Sequence, residues 1–257
     1  MKTIKWTGLL LALSMLLCMP LEGFSDDCTP YDWYFKKVED HSQPPLDKNL
    51  KFIENYDCVY LADDTCEKVI YLTFDAGYDN GNIEKILDAL KKHEAIGAFF
   101  ILDNLIDRCP DLVLRMKEEG HLVCNHTAKH PDMSAITDKA LFEKQLTALE
   151  KPYTELTGQE LDKFYRPPQG RFTAQNLKFA EELGYTTVFW SFAYADWDNK
   201  KQPDEAAALK NILDHTHPGM VILLHPTSAT NAAILDQLLS AWETEGYRFG
   251  SLYELKK

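Results

Sequence analysis

Asp75, His126, His130, Arg166, Asp196 and His225 are the residues of this 257-residue chain whose types and spacing can do chemistry together. Asp75 closes the run VIYLTFD, and His126 and His130 fall in HTAKHP. Arg166 opens RPPQG, Asp196 precedes Trp197 in WSFAYADW, and His225 ends MVILLH. Two histidines four residues apart lie on one side of a helical or an extended backbone, a spacing that suits two imidazoles on one metal ion, commonly zinc. Metal-assisted amide hydrolysis needs a carboxylate that takes a proton from water and an imidazolium that gives one to a departing amine. Asp75 and His225 are the candidates for those two tasks. Asp75 stands too far ahead of the helical segment beginning near Asn80 to be its cap.

These residues lie at or just past the ends of short runs rich in β-branched and aromatic side chains. The strand candidates are VIYLTFD, GAFFIL, HLVCNH, KFYRPP, TTVFWSF, MVILLH and YRFGSL. Between them lie stretches with helical spacing: NIEKILDALKKH, PDLVLRMKEEG, DKALFEKQLTALEK, AQNLKFAEELG, DEAAALKNILDHT and AAILDQLLSAWETEG. Several end in Gly or carry late basic residues, as helix C-termini prefer. Such alternation means parallel strands covered by helices. The pattern predicts an α/β fold, first a distorted or incomplete (β/α) barrel of about seven parallel strands and second an open doubly wound sheet. In a parallel barrel the C-terminal strand ends share one face, where active sites are built.

The remainder of the chain bounds where and on what it acts. Lys2 and Lys5 precede the apolar run Leu9 to Leu17, and Gly23-Phe24-Ser25 suits cleavage, so residues 1–25 read as a secretory signal. Leu17 is too bulky for Cys18 to be a lipidation site, and the apolar run is shorter than the ~20 residues of a bilayer span. The mature chain is therefore expected to be secreted, with no stable membrane span. Residues 26–67, with YDWYF and Pro44-Pro45, lack the alternation and read as a segment packed on a single domain at 68–257. Five cysteines remain after cleavage, with no C-x-x-C pair. Cys58 and Cys66, bracketing a hairpin-like VYLADDT, are the best candidates for a bridge. A formal charge of −13 argues against a nucleic-acid partner, whose phosphates reward clustered Lys and Arg.

The motifs resemble those of the polysaccharide deacetylases, carbohydrate esterase family four. TFDAG is similar to the family's T-F-D-D-G, HTAKHP to H-[ST]-x-x-H-P, RPPQG to R-P-P-x-G, WSFAYADW to W-S-x-D-x-x-D-W, and LLH to L-x-H. The resemblance covers residues 68–257 and implies a role at each matched position. Asp75 matches the general base, His126 and His130 the metal histidines, and Arg166 the arginine that holds the base. Asp196 matches the carboxylate that orients the acid, His225 the acid itself, and Trp197 with Leu223 the apolar wall that takes the acetyl methyl.

Two positions depart from the common pattern: Ala76 stands where a metal-binding aspartate is usual, and Ala193 where the fourth motif has its first aspartate. TFDAGYDNG, WYFKKVEDHSQPP and VFWSFAYADW are most similar to the delta-lactam-biosynthetic de-N-acetylases, which remove acetyl from N-acetylmuramic acid during maturation of spore-cortex peptidoglycan. The resemblance implies peptidoglycan glycan strands as partner, cell-wall association, and a divalent metal, zinc by preference. Ala76 leaves that metal two neutral histidines and water, a weak site. A lactyl carboxylate of the substrate is expected to supply charge where Ala76 leaves room. The rival readings are a glucosamine or chitin-type deacetylase and a non-catalytic glycan-binding protein. A glycosidase would need two facing carboxylates and would leave the histidines without a task.

Overall fold

A computed structural model describes residues 27–63 and 67–256. The signal segment and Cys66 fall outside the described residues. The first strands are β1 (Tyr31–Asp32), β2 (Cys58–Val59) and β3 (Val69–Ala76). There follow α1 (Ile83–Lys92), β4 (Gly97–Ile101), α2 (Asp103–Arg108), α3 (Pro110–Glu118), β5 (Leu122–Asn125) and α4 (Lys139–Thr157). The chain continues through β6 (Asp162–Tyr165), β7 (Arg171–Phe172), α5 (Ala174–Glu182), β8 (Thr186–Val188) and α6 (Glu205–Asp214). It closes with β9 (Met220–Leu224), α7 (Ala229–Thr244) and β10 (Arg248–Phe249).

One curled sheet of eight strands organises the molecule, in the order β10-β3-β4-β5-β6-β8-β2, with β9 also paired to β3. Every pairing in it is parallel, as the alternation of strand and helix requires. All seven expected strands belong to it, and β2 is the eighth. The barrel is irregular where β8 should meet β9. β8 ends at Val188, three residues long, and the chain beyond it crosses to β9 through a single bridge between Phe192 and Ile222. β2 pairs parallel to β8 and is not the arm of a hairpin. Leu61, two residues past β2, makes an isolated antiparallel bridge to Met220.

The period of two along each strand sorts the core into layers. Ile70, Leu72, Phe74 and Ala76 of β3 face outward and pack with Ile86 and Leu90 of α1 and Leu235, Leu238 and Trp242 of α7. Val69 and Tyr71 face inward and meet Phe100, Phe164, Val188 and Val221 inside the barrel. Residues of the lead-in cover one side. Trp33 stacks on Phe189 with ring centroids 4.3 Å apart, and β1 pairs antiparallel with β7.

Two elements differ from the helical spacing read in the sequence. α4 runs through Pro152 to Thr157 and ends at Gly158 in the left-handed conformation, φ 69°. A proline there costs one helical hydrogen bond, and burial of Tyr153 in the outer core offsets that loss. α2, six residues long, is too short to show a periodic pattern; Leu105 and Ile106 anchor it. Among the described residues no helix is long and apolar enough to cross a membrane.

Candidate active site

The inward row of four strands, at or one step past the strand end, delivers a polar residue to the barrel mouth. On β3 the row Val69, Tyr71, Thr73 ends in Asp75; on β5 Leu122 and Cys124 lead to His126. On β6 Phe164 leads to Arg166, and on β9 Val221 and Leu223 lead to His225. Strand alternation thus turns four separate sequence motifs toward one point.

Arg166 is fully buried, and Nη1 donates to Asp75 Oδ1 at 2.8 Å. Its other donors are also used: Nη2 binds Thr73 Oγ1 at 2.8 Å, and Nε binds the Val188 carbonyl at 3.1 Å. The guanidinium lies 4.2 Å from the Phe100 ring centroid, so its plane is fixed as well. Thr73 Oγ1 passes its own proton to the Ile222 carbonyl at 2.6 Å, tying the arginine to β9. Thr73 opens the TFDAG motif, but no role is read for it there; its position on the inward row is what signals one.

Burial pushes the Asp75 carboxyl up, but His126, Arg166 and His225 more than offset that, and the group ends below its ordinary range. Burial lowers His126 to about 4, with Asp75 opposing, so this ring is neutral near pH 7. His126 Nδ1 pairs with the Arg166 carbonyl at 2.8 Å and therefore carries the proton. Its Nε2 faces Asp75 Oδ2 at 3.4 Å. His130 lies against it, ring centroids 4.9 Å apart, and is likewise lowered by burial. Thr127 and His130 hold φ of 71° and 56°, the left-handed region that costs non-glycine residues roughly 1–2 kcal/mol each. The Asn125 side chain accepts from the Thr127 amide, and Thr127 Oγ1 accepts from the His130 amide at 3.0 Å; these bonds hold the turn.

The second half of the site comes from β9 and the loop after β8. His225 Nδ1 donates to Asp196 Oδ1 at 2.7 Å, and the His225 amide donates to Oδ2 at 2.8 Å. Asn231, in the first turn of α7, donates to the same Oδ2 at 2.6 Å. Burial would lower the His225 pKa, but the hydrogen bond and charge of Asp196 outweigh it and raise the group above its ordinary value. With Nδ1 committed to Asp196, Nε2 is the nitrogen left for chemistry.

Asp75, His126, His130, Trp197, Leu223 and His225 all line one cleft of about 570 Å³. Arg166 and Asp196 lie behind it, each reaching it through the residue it holds. Trp197 is 61% exposed on the rim, 6.2 Å between its ring centroid and that of His225. Ala193 lines the cleft, whereas Ala76 is fully buried in the outer core and does not. The room expected at position 76 for a substrate carboxylate is therefore not in the cleft: the alternation that turns Asp75 inward turns Ala76 away.

The donor set does not make a closed metal site. Among the described residues no group of three or more His, Cys, Asp or Glu side chains is arranged to hold a metal ion. His126 and His130 offer two neutral imidazoles, and a structural or catalytic zinc ordinarily takes three or four protein ligands.

Residues 62–188 match the family model for polysaccharide deacetylases. Peptidoglycan-N-acetylmuramic acid deacetylase PdaA of Bacillus subtilis is 39% identical over 227 residues, 88% of this chain and 86% of that protein. This chain belongs to the polysaccharide deacetylase family. An uncharacterized protein of Geobacillus stearothermophilus is 42% identical, over 88% of this deacetylase and 85% of its relative. A solved structure of Bacillus subtilis PdaA, described as a family 4 carbohydrate esterase, shares the fold with a TM-score of 0.85. That match covers 89% of this deacetylase and 97% of the other chain. The incomplete (β/α) barrel expected from the strand-helix alternation and the de-N-acetylase activity expected from the motifs are those of the family.

Proposed function

We propose that this deacetylase removes acetyl groups from N-acetylmuramic acid residues of peptidoglycan, with Asp75 as general base and His225 as general acid. One observation carries the assignment of roles. Asp75, gripped by Arg166, and His225, gripped by Asp196, stand at the ends of the paired strands β3 and β9 and line the same cleft. Their environments push their proton affinities apart, the carboxyl down and the imidazole up, which suits a base and an acid working at one pH.

The reaction follows from these groups. A water in the cleft gives a proton to Asp75 as its oxygen attacks the acetamide carbonyl carbon. The resulting tetrahedral carbon carries two oxygens, the methyl and the sugar nitrogen. His225 Nε2 delivers its proton to that nitrogen, the C–N bond breaks, and the free amine leaves with acetic acid, which gives its remaining proton to solvent as acetate. Proton return from Asp75 to His225 through solvent restores both groups. Leu223 and Trp197 form the apolar wall for the acetyl methyl. His126, neutral and fixed by the Arg166 carbonyl, presents Nε2 to the attacking water. Because the donor set does not close around a metal, no step here is assigned to one; any divalent ion is held weakly by His126 and His130.

The choice of muramic acid is supported by the TFDAGYDNG and VFWSFAYADW motifs and by the similarity to PdaA, whose name states that substrate. Together with the secretory signal expected at residues 1–25, the same similarity supports an enzyme acting outside the cytoplasm on the cell wall, in the route to muramic delta-lactam of spore cortex. The test is incubation of the mature chain with glycan strands lacking stem peptides, followed by mass spectrometry of the component sugars. Loss of acetyl from muramic acid residues is expected. Loss confined to glucosamine residues would replace this substrate with the chitin-type one, and binding without loss would replace the enzyme with a glycan-binding protein.

A further inference from the structure

Asp196 is the least accessible part of the acid assembly, and the two elements that enclose it are tied together before they reach it. Ser228 caps α7 and donates to Gln202 Oε1 at 2.6 Å, while Gln202 Nε2 donates to the Asp196 carbonyl at 3.0 Å. The Thr230 hydroxyl donates to the Pro203 carbonyl at 2.7 Å. The 196–203 loop and the first turn of α7 thus form one shelf. Asn231 projects from it, 1% exposed, and its Nδ2 donates both to Asp196 Oδ2 at 2.6 Å and to the His225 carbonyl at 3.1 Å. Its Oδ1 accepts from the hydroxyl of Tyr194, a residue that lines the cleft.

An asparagine amide has two orientations, and only one is useful here. With Nδ2 toward Asp196, the amide holds the carboxylate so that Oδ1 meets His225 Nδ1. Flipped, it would set its own oxygen against the carboxylate and lose both bonds. Asp196 Oδ2 and the His225 carbonyl, which can only accept, decide between them, and the Tyr194 hydroxyl completes the chosen orientation by donating to Oδ1. Burial, then the charge of Asp196, raises the phenol pKa, so the hydroxyl keeps its proton. The chain of donors therefore runs from the cleft wall through Tyr194, Asn231 and Asp196 to His225.

We propose that Asn231, braced by the Tyr194 hydroxyl, is a positioning residue that fixes the Asp196 carboxylate and through it the His225 imidazole. It touches neither substrate nor reacting atom. Its meaning for catalysis rests on the deacetylase reading, but its effect on His225 does not.

The test uses proton NMR of the full mature chain, in which the His225 Nδ1–H bonded to a buried carboxylate gives a far-downfield resonance assigned by its loss in Asp196→Asn. Asn231→Leu is expected to move or broaden that resonance and to lower kcat by about tenfold or more, the scale of lost supporting hydrogen bonds around a site. KM is expected to stay within about twofold, since the interaction removed is not with substrate. Tyr194→Phe, which removes one oxygen, is expected to shift the resonance in the same direction by less, with an unchanged melting temperature. If Asn231→Leu does not fold, Tyr194→Phe decides alone. An unmoved resonance in the variants, or none in the parent chain, overturns the proposal. Absence of acetate release by the parent chain sinks the deacetylase reading and leaves the NMR result to judge Asn231.

Discussion

Replacing Asp196 with asparagine tests how the acid is made. The side chain of Asp196 is wholly buried and accepts three hydrogen bonds, from His225 Nδ1 at 2.7 Å, the His225 amide at 2.8 Å and Asn231 Nδ2 at 2.6 Å. Asparagine keeps the shape and removes the charge. A hydrogen bond to a charged partner contributes about 1.5–3 kcal/mol and a neutral one about 0.5–1.5, so the protonated imidazole loses about 1–2 kcal/mol of support. At about 1.4 kcal/mol per pH unit, this moves the deprotonation of His225 down by roughly one pH unit. The sign is fixed by the role. His225 must be protonated to act, its pKa in the native enzyme is raised, and activity is therefore lost as pH rises through that raised value. In Asp196→Asn the basic limb of the kcat/KM profile should move to lower pH by about one unit or more, while the acidic limb stays in place. Acetate release measured across pH on de-peptidylated glycan strands gives both limbs. A basic limb that does not move, whatever happens to the maximum rate, would refute the assignment of His225 as an acid tuned by Asp196.

Arg166→Met should destabilise the fold by about 3–5 kcal/mol in urea unfolding, because it leaves the Asp75 carboxylate buried without its partner. A loss below about 1 kcal/mol would show that the pair is not what Thr73 and the Val188 carbonyl suggest. The same variant should move the acidic limb of the activity profile to higher pH, since Asp75 is held low in part by that guanidinium. For the metal, two imidazoles predict well under one zinc per chain after dialysis, by atomic absorption. A full retained equivalent would mean that other groups complete the coordination.

Much of this arrangement was legible in the sequence because strands buried on both faces announce themselves as apolar runs, and because the polar residue ending each run is conspicuous against it. Asp75, His126, Arg166 and His225 needed only the alternation rule to be placed on one face. The same rule, applied one residue further, sends Ala76 into the outer core, so the vacancy imagined beside Asp75 was a misreading of strand parity. The rest depended on contacts between distant segments. Asn231 reads as an ordinary polar residue in a helical first turn, and only the fold brings it 2.6 Å from Asp196, 35 residues away in sequence. Thr73 opens TFDAG, yet the motif does not show that its hydroxyl takes a bond from Arg166. The short β8 and its crossing to β9 follow from how the barrel closes, which local propensity does not encode.

The central claim is that Asp75 and His225 divide a proton-transfer reaction between them, with Asp75 as the group that takes the proton from water. It is tested most directly by the rate of acetate release from glycan strands by Asp75→Asn beside the parent enzyme, with folding checked by circular dichroism. The account predicts a folded variant slower by about 10²–10⁴-fold, the contribution of a positioned general base. A folded Asp75→Asn enzyme that releases acetate at a rate close to that of the parent would contradict it.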